Sequence, residues 1–550
     1  MQIKKTLWVF LFLPFLGLLA FVQPSGDKYF EIAKNLDIFA TLFKEVNTHY
    51  VDEIQVDKMV KTGIDAMLNS LDPYTNYIPE DEIEDYRTMT TGQYGGIGAM
   101  IGRRNNIPTV LMPYENYPAN KAGLMIGDEL LEIDGLSVGA KGTTDISKLL
   151  KGQAGTKIKL KVKRFGTPSP FIVDVTREKI KIENVPYFGM VNGTVGYVQL
   201  SDFTQDAARE VKKAVVELKS KGAQSIIFDL RDNPGGLLTE AINICNLFLP
   251  KDVDIVNTKS KVVDWNKRHR SLNSPLDTAI PLAVLLSPRS ASAAEIVSGV
   301  IQDYDRGVLI GQRSFGKGLV QTTRPLSYNS QLKVTTAKYY IPSGRCIQAI
   351  DYSHRGNDGN PHRVPDSLRI AFKTTGGRIV FDGGGISPDI EIPEQPLTPI
   401  SQSLMQKGLI FDYATQYRIA NKELRKDFAV TDPDFKAFAT WLTNKEYDYT
   451  TKVEATITDL EAHATKENYL AEIKDQILAL RKRMSHNKEL DLEKNKAEIS
   501  ELLEQEIISR YRFEKGIIEA SFDDDPEIKE ALKALATRQT YKNAIWKQNR

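Results

Sequence analysis

Histidine, cysteine and any excess of one charge are things this chain has little of. Its 550 residues hold six histidines and two cysteines, and 72 Lys and Arg stand against 71 Asp and Glu, a formal net charge of +1. That balance removes the electrostatic case for nucleic acid or an acidic polymer as a partner. Cys245 and Cys346 form neither a disulfide framework nor a metal-ligand pattern, and Cys245, inside an apolar helical pattern, reads as a buried thiol. His354 and His362 lie in the loop-like stretch from Asp351 to Asp366, too loosely placed for zinc, so no metal or other cofactor is expected. No histidine falls between Pro281 and Gln321, where the chemistry-bearing residues gather.

That stretch opens with the apolar run Leu282 to Leu286, a buried strand by its length and its flanking prolines. Small residues crowd from Ser290 to Ala294. Ile296, Val297, Val300 and Ile301 then recur at helical spacing, so Ser292 stands where a strand hands over to a helix. A hydroxyl there is exposed, beside backbone N–H groups that can receive an oxyanion. A second apolar run, Val308 to Ile310, leads into a loop that holds Lys317 between Gly316 and Gly318. Without histidine, a lysine can take a serine proton only if burial leaves some neutral amine. The bland alternative is a helix N-cap serine and a solvated loop lysine. Two other motifs overlap here and fail. Gly311-x-x-x-x-Gly316-Lys317 lacks the Ser or Thr of a P-loop, since Gly318 stands there, and Ser314-x-x-Lys317 is broken by Gly316 where a helix is needed.

Ser290-Ala291-Ser292-Ala293-Ala294-Glu295 followed by Phe315-Gly316-Lys317-Gly318-x-Val320-Gln321 resembles the carboxyl-terminal processing (tail-specific) proteases, peptidase family S41. The resemblance implies Ser292 as nucleophile, Lys317 as general base and Gln321 as the side chain that orients the lysine. Ala294 departs from the second serine of many members, at a position that is not the nucleophile. Arg231-Asp232-Asn233-Pro234-Gly235-Gly236, after the buried strand Ser225 to Leu230, also matches. It implies an oxyanion hole from Gly235 or Gly236 together with Ala293. Asp229 and Asp232 flank Arg231, which points to ion pairing rather than a metal.

From about Met89 to Arg164 the chain resembles a PDZ domain, through Tyr94-Gly95-Gly96-Ile97-Gly98 and the later Pro118-Ala119-x-x-Ala122-Gly123-Leu124-x-x-Gly127-Asp128. A glycine-rich turn there would offer N–H groups to a peptide carboxylate, with the next strand as an edge for an extended chain. Tyr94, Gly95, Gly96, Ile97 and Gly98 are therefore the expected substrate-binding residues. Lys151, near the end of this module, reads as solvated, with contact to the catalytic core as the alternative.

The expected fold is multidomain α/β, a ClpP/crotonase-like catalytic core with an inserted PDZ domain and helical regions at both ends. Residues 1–26 read as a signal peptide or membrane anchor, because Lys4 and Lys5 precede the apolar run Leu7 to Val22. Residues 27–88 form a helical region, 89–170 the PDZ domain, 171–395 the peptidase core and 396–550 a helical domain. Within the last, the run Glu461 to Lys496 reads as a solvated helical face or coiled-coil arm, and Asp523-Asp524-Asp525-Pro526 as a helix boundary without EF-hand spacing. The function implied is a serine endopeptidase, exported, periplasmic or anchored facing outward, whose partners are proteins or peptides with free C-termini. A homo-oligomer or an adaptor is left open. The competing reading is a non-catalytic PDZ scaffold that tethers C-termini at the membrane.

Overall fold

Six strands make the sheet on which the chemistry-bearing loops hang, and four of them are apolar runs with every residue buried or nearly so. In the computed structural model, which describes residues 26–356, 359–484 and 488–546, their order is Tyr187–Met190, Val195–Gln199, Ser225–Asp229, Leu282–Leu286, Val308–Gly311 and Ile390–Glu391. The first pair is antiparallel and the rest are parallel. A parallel sheet needs cover on both faces. The helices Ala207–Ser220, Leu238–Phe248 and Ala293–Asp303 cover one face around Val211, Val215, Ile244, Phe248 and Val297. The other face is covered from the far end of the chain, where Ile528, Ala531, Leu535 and Ile545 pack on Ile227, Ala283, Leu285 and Ile310. The helical tail is therefore partly a layer of the core.

Asp525 caps the helix Pro526–Leu535 by accepting the Ile528 N–H at 2.9 Å, and it pairs with Arg231 at 2.6 Å. Arg231 also clasps Asp229, as its position between two aspartates implied, while Asp232 pairs with Arg289 at 2.8 Å. Among the described residues no cluster of His, Cys, Asp or Glu has the form of a metal site. Cys245 is fully buried, and that burial pushes its thiol pKa up.

The PDZ-like module is an antiparallel sheet in the order Ala99–Arg104, Ile107–Pro113, Glu129–Ile133, Lys157–Lys163 and Phe171–Thr176. Leu160 pairs with Val173, so the module runs past residue 170, where the sequence reading ended it. Ala99–Arg104 is an edge strand. Gln93–Gly96 enters the module paired antiparallel with Glu178–Lys181, which leaves it. A two-stranded ribbon thus joins module and core. The module also meets the helical tail, where Arg104 donates to Asp412 at 2.7 Å and lies 4.2 Å from the Phe411 ring centroid.

The chain separates into two units, Met1–Tyr77 and Ile78–Arg550. In the first, Gly26–His49 and Val56–Asn69 are helices, and the Asp72 carboxylate accepts the N–H groups of Tyr74 and Thr75 where the second helix has stopped. Of the expected leader, residues 1–26, all but Gly26 lie outside the described residues; among those described no helix is long and apolar enough to cross a membrane. The Asp351–Asp366 stretch, read as a loop, contains the paired strands Ile350–Arg355 and Pro361–Arg363. The charged run holds the helices Lys452–Lys466 and Leu470–Met484, joined across their solvated faces by Arg481 and Glu461 at 2.7 Å.

Candidate active site

Ser292 ends the turn after the Leu282–Leu286 strand and begins the helix Ala293–Asp303. Its backbone sits at φ +54° and ψ −110°, a region that costs a non-glycine residue about 1–3 kcal/mol and persists only where neighbours enforce it. Those neighbours can be named. The Ser292 N–H donates to Glu295 Oε2 at 2.8 Å, and its carbonyl accepts from the Tyr339 hydroxyl at 3.1 Å. Ala291, one residue before, donates to the carbonyl of Asn233 at 2.9 Å.

Lys317 is held by the same two side chains. Its N–H donates to Glu295 Oε2 at 2.9 Å and its carbonyl accepts from Tyr339 at 2.8 Å. The fully buried Glu295 carboxylate also accepts from Gly316 N–H at 2.7 Å and from the Ser314 hydroxyl at 2.5 Å. Burial raises the Glu295 pKa, while these donors favour its ionised form. Burial also holds the Tyr339 hydroxyl protonated, well above its ordinary pKa. Gly316 has φ +92°, and a methyl group on it would lie 2.3 Å from Ala349 Cβ, which is why the loop carrying Lys317 has glycine there.

Ser292, Lys317 and Gln321 line one cavity of about 370 Å³, together with Gly235, Gly236 and Ala293. The Gln321 amide donates to the Thr335 hydroxyl at 3.4 Å, across the paired strands Leu319–Pro325 and Gln331–Tyr340. The two glycines are not equivalent. Gly235 N–H donates to Asn233 Oδ1 at 2.8 Å, so its amide is engaged, whereas the amides of Gly236 and Ala293 have no acceptor among the described residues. Gly235 serves by being small. At φ +97°, a methyl group on it would lie 2.7 to 2.8 Å from Ala291 O, Ala293 N and Ser292 Cβ.

The five expected substrate-binding residues of the PDZ-like module separate into two groups. Tyr94, Gly95 and Gly96 are paired in the ribbon with Ile180, Lys179 and Glu178, and burial raises the Tyr94 hydroxyl pKa. Ile97 and Gly98, the latter at φ +70°, make the turn at the head of the Ala99–Arg104 edge strand. Lys151 is not a free solvated lysine. Its ammonium lies 2.6 Å from Asp85 on the helix Ile83–Thr91, the helix that lends Tyr86, Met89 and Thr90 to the cavity wall.

Sequence reasoning missed Glu295, Tyr339 and Asn233 as site residues. For Glu295 a signal was there, since Ser292-Ala293-Ala294-Glu295 has the form of a capping box, in which the acid bonds back to the serine N–H.

Residues 194–353 match the model of peptidase family S41, residues 109–164 that of a PDZ domain, and residues 400–535 that of a probable PDZ-protease C-terminal helical domain. A carboxy-terminal-processing protease of Bartonella bacilliformis is 38% identical over 321 residues, 58% of this chain and 73% of that protein. Probable CtpA-like serine proteases of Staphylococcus aureus, that of strain COL among them, are 33% identical over 316 residues, 57% of this chain and 62% of their own length. A solved photosystem II D1 C-terminal processing protease is 26% identical over 64% of this chain and 92% of its own, with a TM-score of 0.35.

Proposed function

Because the chain belongs to the carboxy-terminal-processing proteases of peptidase family S41, we propose that it is a serine endopeptidase working through Ser292 and Lys317 on proteins whose C-termini its PDZ domain engages. The observation that carries this reading is the shared anchoring of Ser292 and Lys317. Both main chains are fastened to Glu295 and Tyr339, and both residues face one cavity.

In the first step neutral Lys317 takes the Ser292 hydroxyl proton as the oxygen attacks the scissile carbonyl. The carbonyl oxygen becomes an oxyanion, and the amides of Gly236 and Ala293 stand ready to donate to it. The C–N bond then breaks, the Lys317 ammonium protonates the departing amine, and the acyl group stays on Ser292. Water, deprotonated by Lys317, hydrolyses this ester and returns the serine hydroxyl. In this scheme Gln321, bonded to Thr335 on the neighbouring strand, steadies the lysine.

For recognition, the Ile97–Gly98 turn would receive the substrate carboxylate and the edge strand Ala99–Arg104 would add the extended chain as a further strand. The lysines and apolar run at residues 4–22 support export, with the core facing outward from the membrane or free in the periplasm. An unfolded protein with an apolar C-terminus tests the whole reading, its products identified by mass spectrometry. Internal cleavage by the full chain, lost in both Ser292→Ala and Lys317→Ala, is the expected result. Binding of the C-terminus without cleavage would leave a tethering module.

A further inference from the structure

The cavity that holds Ser292 also contains charges that the reaction leaves unused. Lys333 lies on the Gln331–Tyr340 strand, directly across from Thr323 and two residues before Thr335, so it shares a face with Thr335, and it lines the same cavity as Tyr339. Thr323 is bonded to the hydroxyl of Tyr86, so this end of the cavity is closed by the helix Ile83–Thr91. Lys333 is half-buried there, and among the described residues no carboxylate lies within ion-pairing distance of its ammonium. Burial without a partner pushes its pKa down. Asp202, the acidic group lining the same cavity, likewise has no ion-pair partner among the described residues. A half-buried cation facing a substrate cavity is costly to leave unpaired, and an anionic substrate group offsets that cost.

We infer that Lys333 selects substrates carrying an Asp or Glu side chain a few residues from the scissile bond, which then pairs with its ammonium. The distance is set by the strand. Tyr339 touches Ser292, and the six residues back to Lys333, with a bulge at Thr336 between them, span at most about 20 Å at roughly 3.3 Å each. A lysine side chain reaches back by several ångströms, so the acidic residue would stand within about four positions of the cleaved bond. Lys317 cannot do this work, because it must be neutral when Ser292 is deprotonated.

This inference rests on the peptidase reading, and its test separates the two. Cleavage sites in an unfolded proteome digest would be mapped for the full-length protein and for Lys333→Glu and Lys333→Met, with Ser292→Ala as blank. The wild type should show Asp or Glu enriched at one fixed position within four residues of the cleaved bond. Lys333→Met should lose the enrichment, and Lys333→Glu should replace it with Lys or Arg. Superimposable site patterns for wild type and Lys333→Glu would overturn the inference while leaving the peptidase intact. Direct binding to Ser292→Ala gives a second readout, using two fluorescent peptides that differ only by Glu against Gln at that position. The Glu peptide should bind about tenfold tighter, and the preference should vanish in Ser292→Ala combined with Lys333→Met. Equal affinities would refute the inference whether or not any cleavage is seen.

Discussion

The carboxylate of Glu295 accepts the backbone N–H of Lys317 at 2.9 Å. The same oxygen takes the Ser292 N–H at 2.8 Å, so two loops far apart in the chain are referenced to one buried atom. Relative placement of serine and lysine is therefore a property of Glu295, which is fully buried and does not line the cavity.

Glu295→Gln should consequently damage both stability and turnover. The replacement turns one acceptor oxygen into an N–H₂ group that faces backbone donors, leaving buried N–H groups unsatisfied at about 1–3 kcal/mol each. Thermal denaturation should show a loss on the order of 3 kcal/mol. In the residual folded protein kcat should fall far more than KM rises. An unchanged kcat would mean that the two loops hold their places without it.

Tyr339→Phe removes a smaller part of the same frame. Its hydroxyl hydrogen is shared between the carbonyls of Ser292 and Lys317, at 3.1 and 2.8 Å. The expected loss is about 1–2 kcal/mol by chemical denaturation, with a reduced kcat and an unaltered fold by circular dichroism.

Gly235→Ala should be among the most damaging single changes. The added methyl would press on Ala291 O, Ala293 N and Ser292 Cβ at φ +97°, and none of these atoms is the end of a flexible side chain. Activity should be abolished and the melting temperature lowered. Gly193→Ala, where a methyl group meets nothing within 4 Å, is the control expected to be silent.

Much of this was legible in the residues, for physical reasons that also mark the limit. The run Leu282 to Leu286 announced a strand covered on both faces, and it is fully buried. What covers its second face was not legible, because an amphipathic pattern reveals that Ile528 and Leu535 must be buried without revealing against what. Glycine is equally silent about hydrogen bonds. Tyr94-Gly95-Gly96 read as an anion-binding turn, yet pairing with Glu178–Lys181, distant in sequence, makes it a strand. Similarly, Gly235 and Gly236 looked alike until Asn233 was seen to occupy only the first amide. Lys151 read as solvated because its partner, Asp85, lies outside the module that carries it.

A pH dependence follows from Asp202 at the cavity wall. Burial raises its pKa to about 6, above the ordinary carboxylate value of about 4 that it regains on unfolding. Between these values the folded state binds more protons than the unfolded one, so this group's contribution to stability is present below pH 4 and declines as pH rises through 6. Urea titrations from pH 4 to 7 should show that decline flattened in Asp202→Asn. A slope identical in both proteins would show that Asp202 titrates normally.

The most direct measurement is to capture the covalent intermediate. The protein would be mixed with a peptide ester, quenched in acid within milliseconds to seconds, and mapped by mass spectrometry. An acyl group on Ser292, absent in Ser292→Ala and much reduced in Lys317→Ala, is the predicted result. Turnover with no acyl adduct, or an adduct on any other side chain, would contradict the assignment of Ser292 as the nucleophile.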